Sequence, residues 1–404
     1  MARILVLTSR WPFPTYSGDM VRVLNICREL SQHHDLTLLA LRDGPADPLP
    51  ETFKSVFRSV HTVHLPRWRS RINALVALIT RKPLQVAYYK SDEYGRIARK
   101  LIAESDLILC HLIRTAEYAA QARIPAVLEM TDAISLNYER VGNVSGRRNL
   151  LKSVYAIERS RVLNYELECL RRFDLTSMVS AVDRDYLLSK SADDVARKVI
   201  VTTNGADVER YRLSSDLRGN SVLFLGKMST VPNIDACEFF ASECLPRIRA
   251  QLPAFEFRIV GPISSATASR LQRFPGVVIC GAVKELGDVV ADCFCGIAPM
   301  RLGAGVQNKI LDYMAMGIPC ITTSVGYEGL SAVHDREIVV ADSADDWTKT
   351  VLNLYADRSG AAAIGQAGKA YVRRCHTWSA CLTPLVAAID QLSTGTDHGA
   401  LSGS

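Results

Sequence analysis

One stretch constrains this chain more than any other: residues 301–330, RLGAGVQNKILDYMAMGIPCITTSVGYEGL, which follow the apolar run CFCGIAPM. The apolar run predicts a buried strand, and apolar residues at helical spacing predict a helix from Asn308 to Met316. Gly317 is placed as a helix-terminating glycine, and Pro319 prevents the helix from continuing. The order strand, glycine-containing loop, helix is typical of an α/β chain.

The start of this helix is suited to holding an anion. Gly303 and Gly305 leave the loop without side chains that would obstruct a ligand. The free amides of a first helical turn attract negative charge, and the helix dipole adds to the attraction. Lys309 would bind a phosphate, and Asp312, one turn later, would accept hydrogen bonds from a sugar diol. The alternative is a strand-to-helix turn that carries glycines for structural reasons alone.

Length and composition describe an ordinary globular chain. Its 404 residues are enough for two domains, and it is 48% hydrophobic and 22% charged. We expect a cytoplasmic location, because no apolar run reaches bilayer length and the N-terminus leads directly into a strand. The eleven cysteines lie mostly in apolar runs, which predicts reduced core residues rather than disulfides or a zinc site.

The basic excess is confined to the first half of the chain. Residues 1–205 contain 30 Lys and Arg against 22 Asp and Glu, within a net charge of +6 for the whole chain. This half is therefore predicted to meet something anionic. We expect no nucleic-acid partner.

The segment RWRSRINALVALITRK is the most basic part of this half. Ile72, Leu75, Val76 and Ile79 have helical spacing, with Trp68 beside them and arginines on both flanks. Two interpretations are open: a helix that lies on an anionic membrane, or a helix that turns these residues into the core and its arginines into solvent. The membrane interpretation gains weight if the acceptor is a lipid.

Polar residues follow two predicted strands of the first half. LILCH ends in His111, and AVLEMT is followed by Asp132. Open α/β sheets bind ligands at the carboxyl ends of their strands, so both residues are candidates, although single histidines and aspartates are more often structural. Gly18 stands in the first loop, just before a helix predicted from about Met20 to Leu30, and it is either a ligand contact or a simple loop glycine.

The second half restarts with SVLFLGKMSTVPNIDACEFF, in which Lys227 follows a glycine at the end of a predicted strand. Lys227 is either a phosphate ligand or a solvent-facing loop lysine. FEFRIVG and VVICGAV predict further strands of a parallel sheet. Ala282 and Val283 follow the second of these strands and are placed to offer backbone hydrogen bonds to a nucleotide base.

The motifs at 301–330, 223–239 and 204–207 resemble those of glycosyltransferase family 4, which comprises retaining enzymes of the GT-B fold. The similarity is greatest to the branch that assembles bacterial polysaccharides. The resemblance implies an α/β chain of two doubly wound, Rossmann-like domains that face a central cleft, with a C-terminal helix crossing back to the first domain. It implies domains at 1–205 and 206–375, a crossover helix at 376–392 and a disordered tail at 393–404.

The resemblance also implies the donor site. The residues carried over as donor-binding are Gly18, Lys227, Asn233, Val283, Gly303, Gly305, Val306, Gln307, Asn308, Lys309 and Asp312. Three positions depart from the family pattern: Asp312 stands where most members have glutamate, Ala304 replaces a glutamate that usually contacts the donor sugar, and Pro232 or Asn233 stands where a second lysine is usual. His111, Asp132 and Lys309 are the implied catalytic residues, with His111 orienting groups and Asp132 binding or deprotonating the acceptor.

Three functions follow as hypotheses. The first is a metal-independent, retaining transfer of a sugar from a nucleotide-diphosphate sugar to a glycan or lipid-linked acceptor, at the cytoplasmic face of the inner membrane if the acceptor is a lipid. The second is a nucleotide-sugar 2-epimerase of the same fold, and the third is a non-catalytic binder of sugar nucleotides. No cofactor is expected. A metal site at Asp183 and Asp185 is the weaker interpretation, because these residues precede a helix, where aspartates usually cap.

Overall fold

The computed structural model describes residues 1–14, 18–44, 48–142, 149–192, 194–210, 219–283, 286–303 and 306–394, without the side chains of residues 141–142, 149–156, 210 and 288. Gly305, Ala304 and residues 395–404 of the predicted tail lie outside the described residues. The chain forms two units. Unit 1 comprises Met1–Thr203 and Leu382–Ser404, and unit 2 comprises Asn204–Cys381.

Unit 1 is built on a parallel sheet. Its strands are Arg3–Thr8 (β1), Asp35–Arg42 (β2), Ser59–His64 (β3), Leu107–His111 (β4), Ala126–Thr131 (β5), Leu175–Met178 (β6) and Val199–Val201 (β7). They lie in the order β3-β2-β1-β4-β5-β6-β7. Its helices are Gly18–Leu30 (α1), Glu51–Lys54 (α2), Arg67–Ala77 (α3), Leu84–Tyr88 (α4), Asp92–Ile102 (α5), Ala116–Ala119 (α6), Ile134–Gly142 (α7), Asn149–Arg172 (α8) and Ala181–Lys190 (α9), with a 3-10 turn at Ala196–Lys198.

Unit 2 repeats this architecture. Its strands are Ser221–Leu225 (β8), Glu256–Val260 (β9), Val277–Gly281 (β10), Cys293–Ala298 (β11), Cys320–Thr322 (β12) and Val339–Val340 (β13), in the order β10-β9-β8-β11-β12-β13. Its helices are Val231–Phe239 (α10), Leu245–Arg249 (α11), Ser265–Leu271 (α12), Gly287–Val290 (α13), Asn308–Met316 (α14), Ser324–Tyr327 (α15), Ala344–Ala356 (α16) and Arg358–Cys375 (α17). A 3-10 turn lies at Val208–Arg210, and a π-helical segment at Phe240–Cys244 joins α10 to α11.

Both sheets are doubly wound, as the resemblance to the family implies. β1 pairs with both β2 and β4, and β8 pairs with both β9 and β11, so the strand order reverses next to β1 and next to β8. Helices on both faces explain why β4 and β11 are buried along their whole lengths. A reversal of strand order leaves a crevice at the carboxyl ends of the strands, where such sheets bind ligands.

The segment that most constrains the sequence folds as predicted. α14 runs from Asn308 to Met316, and Gly317 ends it in the left-handed conformation, with φ 76°. Tyr313 fixes the helix to the sheet, because its hydroxyl accepts a hydrogen bond from the Leu225 N–H (2.7 Å) and donates to the Ile297 carbonyl (3.2 Å). Gly296 is required beneath this ring, since a Cβ there would lie 2.3 Å from Tyr313 Cγ.

A last helix, Trp378–Ser393 (α18), begins in unit 2 and belongs to unit 1 from Leu382 onward. Leu382, Leu385 and Ile389 are fully buried on one face. Among the helices of the described residues, none is both long enough and apolar enough to cross a bilayer.

Two sequence-based expectations are corrected by unit 1. Ile72, Leu75, Val76 and Ile79 are exposed, so the interpretation of α3 as a core-facing helix is wrong. Gly18 is the first residue of α1 instead of a loop residue before it.

Candidate functional site

Three glycines mark the carboxyl ends of three neighbouring strands in unit 2. Gly226 follows β8, Gly261 follows β9 and Gly281 ends β10. The Gly261 N–H donates to the Gly281 carbonyl (2.7 Å). Gly261 has φ 138°, and a Cβ on it would lie 2.1 Å from the Gly226 oxygen, so only glycine fits this approach of two strand ends. The result is a sheet edge with bare backbone, beside which the predicted base-binding residue Val283 is half-buried.

A buried lysine lies between β8 and the first turn of α14. The Lys309 ammonium donates a hydrogen bond to Asn233 Oδ1 (2.8 Å) and lies 4.9 Å from the centre of the Phe224 ring. Asn233 in turn donates through Nδ2 to the Lys227 carbonyl (3.0 Å). Three residues predicted separately as donor ligands are therefore joined by one chain of hydrogen bonds.

Burial changes the ionisation of this lysine. Lys309 is 9% exposed, and desolvation lowers its pKa to about 8, against a smaller opposing effect of the neighbouring Asp312. No carboxylate of the described residues forms an ion pair with its ammonium. Among the residues that the structure describes, its other hydrogen-bond acceptor is the weakly accepting Met300 sulfur, at 3.4 Å. A phosphate oxygen would be a much stronger partner than either.

A second contact fixes the loop between β11 and α14 to α10. Arg301 binds Asp235 with both carboxylate oxygens engaged, at 2.7 and 3.1 Å, and its guanidinium lies over the Phe239 ring. Residues 232–235 thus supply one acceptor atom to Lys309, from Asn233, and two to Arg301, from Asp235. Of Pro232 and Asn233, the two residues noted above as departing from the family pattern, Asn233 is the one that contacts Lys309.

The N-terminus of α14 has an incomplete cap. Gln307 is the N-cap residue, but its side chain makes no capping hydrogen bond to the helix. The Asn308 Oδ1 is buried and accepts no hydrogen bond within the described residues. Val306 is buried, and its carbonyl accepts a long hydrogen bond from Asn204 (3.4 Å).

The remaining predicted donor ligands differ in exposure. Gly303 has φ 133° and is buried, Asp312 is half-buried, and the Lys227 side chain is exposed. Exposure fits both interpretations of Lys227, as a ligand and as a loop lysine. Gly305 lies outside the described residues.

In unit 1, His111 ends β4 in a buried position. It is 3% exposed, and burial lowers its pKa to about 4, so the imidazole is neutral at physiological pH. Its Nε2 has no hydrogen-bond partner among the described residues. The next residue, Leu112, has φ 65°, a conformation that non-glycine residues rarely adopt and that is often retained at functional sites.

Asp132 follows the neighbouring strand β5, and the preceding residue is strained in the same way: Thr131 has φ 70°. Burial raises the pKa of Asp132 well above its usual range, and the nearby Asp183 carboxylate raises it further. Asp183 accepts a hydrogen bond from the Ala133 N–H (2.9 Å). The two predicted catalytic residues of unit 1 therefore lie at adjacent strand ends, each beside a strained residue.

A buried ion pair that the sequence analysis did not identify supports these strand ends. Arg22 of α1 binds both oxygens of Glu129 (2.8 and 3.0 Å), and both side chains are almost completely inaccessible. Arg22 also donates to Thr202 Oγ1 (2.7 Å) and to the Thr203 carbonyl (3.1 Å). One guanidinium thus ties β5 to the residues after β7. No local signal marks this pair, since its members are 107 residues apart.

The two aspartates weighed as a metal pair have separate roles. Asp183 is buried at the start of α9, where Ser180 caps the helix, and Asp185 pairs with Arg184 at 2.8 Å. Within the described ranges, no cluster of three or more His, Cys, Asp or Glu residues is arranged to hold a metal ion.

Solved structures place the chain in a known fold. It superposes on a sucrose-phosphate synthase from Thermosynechococcus elongatus with a TM-score of 0.72 at 14% identity, over 98% of this chain and 100% of the other. It superposes on Anabaena HepE in complex with UDP and glucose with a TM-score of 0.68 at 14% identity, over 96% and 100%. The fold is GT-B, with two Rossmann-like parallel-sheet domains.

Sequence comparison shows which family the sequence of unit 2 matches. Residues 219–357 match the family model of glycosyl transferases group 1, so the bare strand ends and the Lys309 turn lie in a glycosyltransferase domain. Over 376 residues the chain is 23% identical to an uncharacterized 44.6 kDa protein in the cps region of Klebsiella pneumoniae, covering 89% of this chain and 92% of that protein. The chain therefore has the GT-B fold, and its unit 2 contains the segment that matches glycosyl transferases group 1.

Proposed function

We propose that this protein is a retaining glycosyltransferase of family 4 that moves a sugar from a nucleotide-diphosphate sugar to a glycan or lipid-linked acceptor in polysaccharide assembly. One observation carries the proposal. The buried Lys309 ammonium at the N-terminus of α14 is joined through Asn233 to the Lys227 loop, and a lysine at a helix N-terminus makes a corner suited to binding a diphosphate.

The corner would stabilise the leaving group. Breaking the bond between sugar and phosphate builds negative charge on the departing diphosphate. Lys309, the amides of the first turn of α14 and the exposed Lys227 side chain are the donors that would neutralise this charge. Because these donors supply the positive charge, we propose that the reaction needs no metal, which resistance of the initial rate to EDTA would test.

Unit 1 would handle the acceptor. His111 is neutral at physiological pH, so it suits orientation of a hydroxyl by hydrogen bonding better than charge stabilisation. Asp132, with a raised pKa, would bind the acceptor hydroxyl. For retention we propose transfer on one face of the sugar, with the acceptor proton passing to the leaving diphosphate and no protein nucleophile.

Two comparisons guide the choice of substrates. Anabaena HepE has been solved with UDP-glucose, so UDP and its sugars are the first donors to test here. The cps-region origin of the Klebsiella pneumoniae relative supports an acceptor from cell-surface polysaccharide assembly.

The experiment pairs binding with turnover. Thermal unfolding is followed with UDP, GDP, ADP and their sugars, and release of free nucleotide is then measured with and without glycan acceptors. The test variant is Lys309→Met, which removes the charge while filling the site, and the control is Lys349→Met, the same change at an exposed position.

The expected result is a rise in unfolding temperature with one nucleoside diphosphate, and nucleotide release that depends on acceptor. Lys309→Met should lose both, whereas Lys349→Met should keep both. Normal turnover in Lys309→Met would contradict the assignment of Lys309 as a diphosphate ligand. Epimerised donor formed without any acceptor would favour the 2-epimerase, and binding without turnover across the acceptor panel would favour the non-catalytic binder.

A further inference from the structure

Helix α3 is amphipathic with its larger apolar face turned outward. The side chains that pack against unit 1 are small: Ser70 and Ala77 are each 2% exposed. The large apolar side chains point to solvent, and their exposed fractions lie between 49% and 89%. We call them the α3 apolar face: Trp68, Ile72, Leu75, Val76 and Ile79. A patch of this kind on a soluble surface marks an interaction site.

The arrangement around the helix is regular. At about 100° per residue, the α3 apolar face occupies an arc of roughly 100°. The turn that continues beyond the helix keeps Ile79 in line, since its N–H donates to the Val76 carbonyl (3.3 Å). Arg69 falls on one edge of the arc and Arg71 on the other, and both are exposed.

The outward orientation is fixed by contacts at the C-terminal end and in the middle of the helix. Arg161 of α8 donates to the carbonyls of Ala77 (3.2 Å) and Leu78 (3.1 Å). Asn73 donates to the Lys90 carbonyl (2.9 Å). Turning the α3 apolar face inward would break these hydrogen bonds and expose the small face instead.

The electrostatics favour an anionic partner. Residues 52–91 contain eight Lys and Arg and no Asp or Glu. Arg67 pairs with Asp43 and Lys82 with Glu117. Arg69, Arg71 and Arg81 form no ion pair with any carboxylate that the structure describes. Three arginines therefore leave unneutralised positive charge beside the exposed apolar side chains.

We propose that α3 is a membrane-docking helix, which lies in the interface of an anionic lipid bilayer with the α3 apolar face inserted among the acyl chains. Arg69 and Arg71 would lie at headgroup level, where each contributes attraction to anionic lipid. A second copy of the chain fits less well, because a symmetric contact through this face would bring four unpaired arginines together. The proposal names a surface partner and does not depend on the donor site.

The test is flotation of the full chain with vesicles at low salt. One set contains phosphatidylcholine with about 30% phosphatidylglycerol, and the other contains phosphatidylcholine alone. The apolar variant is Leu75→Ser with Ile79→Ser, matched by Val333→Ser at an exposed apolar position of unit 2. The charge variant is Arg69→Gln with Arg71→Gln, matched by Arg273→Gln with Arg336→Gln, which lie exposed in unit 2.

We expect binding to the anionic vesicles only. The apolar variant should lower the partition coefficient about tenfold or more. The charge variant should lower it about thirtyfold, at about fivefold for each arginine, and the matched controls should leave it unchanged. All variants should keep the wild-type unfolding temperature, since the replaced side chains are exposed, and the same shift with nucleotide.

Three results would overturn the proposal: no flotation of the wild type, equal flotation with neutral and anionic vesicles, or equal losses in the unit 2 controls. A dimer in sedimentation equilibrium that Leu75→Ser with Ile79→Ser dissociates, without vesicle binding, would assign the face to a second copy. None of these results bears on nucleotide release, so failure here and failure of the proposed transferase activity are distinguishable.

Discussion

At the scale of single residues, the most informative side chain is Lys309. A lysine ammonium in water is well hydrated, but here it lies against Phe224 and Met300 with one amide oxygen as its strong acceptor. Its lowered pKa reflects that partial substitution for water. A bound diphosphate would supply the missing negative charge and raise the pKa again.

This linkage predicts a pH dependence of nucleotide affinity. The pKa of free Lys309 is about 8, and the bound form must hold its proton more tightly. Affinity should therefore be constant below pH 8 and fall above it, by up to about tenfold per pH unit. Isothermal titration calorimetry with the nucleoside diphosphate at a series of pH values measures this directly.

Lys309→Arg provides the matched comparison, because a guanidinium stays protonated throughout this range. Any affinity that this variant retains should not fall above pH 8, and Lys309→Met should bind weakly at every pH. A wild-type affinity that is unchanged between pH 7 and 9.5 would show that the ammonium does not contact the phosphates.

The sequence identified such residues by type and spacing, but not by partner. A lysine in the first turn after a glycine loop predicts a phosphate ligand, and the structure places Lys309 there. Its hydrogen bond to Asn233 spans 76 positions, and the ion pair of Arg22 with Glu129 spans 107. Such contacts depend on tertiary packing, for which one sequence carries no periodic signal.

At the scale of elements, the glycine-ended strands of unit 2 leave bare backbone at one edge of the sheet. Only glycine fits at position 261, because the Gly226 carbonyl occupies the space that a side chain would need. Gly281 also has a positive φ, 69°, but open space surrounds the position of its Cβ. A substitution at Gly281 therefore tests backbone strain alone, whereas one at Gly261 tests strain together with a steric clash.

We predict that Gly281→Ala lowers the free energy of unfolding by about 1–2 kcal/mol, the cost of a left-handed alanine. Gly261→Ala should cost more than about 3 kcal/mol, because the ends of β8 and β9 must separate as well. Urea denaturation of both variants compares them. Similar losses of unfolding free energy in the two variants would mean that the ends of β8 and β9 separate easily and are not rigid.

The secondary structure was largely predictable, and the exceptions have physical reasons. Long apolar runs gave the principal strands, and glycine and proline signals gave the end of α14. β12 and β13 were not predicted, since strands of three and two residues are too short for a periodic pattern. For α3, spacing predicted a helix but not which face the fold covers, because small residues can pack inward as well as large ones.

At the scale of the whole molecule, α18 makes the C-terminal segment part of unit 1. Leu382, Leu385 and Ile389 of this helix are buried, and its Asp390 lies 2.7 Å from the ring of His34. The stability of unit 1 should therefore depend on residues that follow unit 2 in the chain.

Leu385→Ala should lower the stability of unit 1 by about 2–5 kcal/mol, the usual cost of truncating a buried leucine. Ala387→Ser, at an exposed position of the same helix, should change it by less than about 0.5 kcal/mol. Calorimetry with and without nucleotide assigns the transitions, because a ligand of unit 2 raises only the transition of that unit. If Leu385→Ala instead lowers the nucleotide-sensitive transition, α18 stabilises unit 2 and its assignment to unit 1 is wrong.

The buried position of Lys309 has a further consequence for the energetics of recognition. Water is removed from this ammonium when unit 2 folds, so a diphosphate that binds as proposed would meet a cation that has already lost most of its hydration shell. The free-energy cost of dehydrating the ammonium is met during folding, so binding of the diphosphate does not include it and is more favourable. Core substitutions that loosen α10 or α14 would readmit solvent to the cation, and they should weaken nucleotide affinity before they unfold the protein.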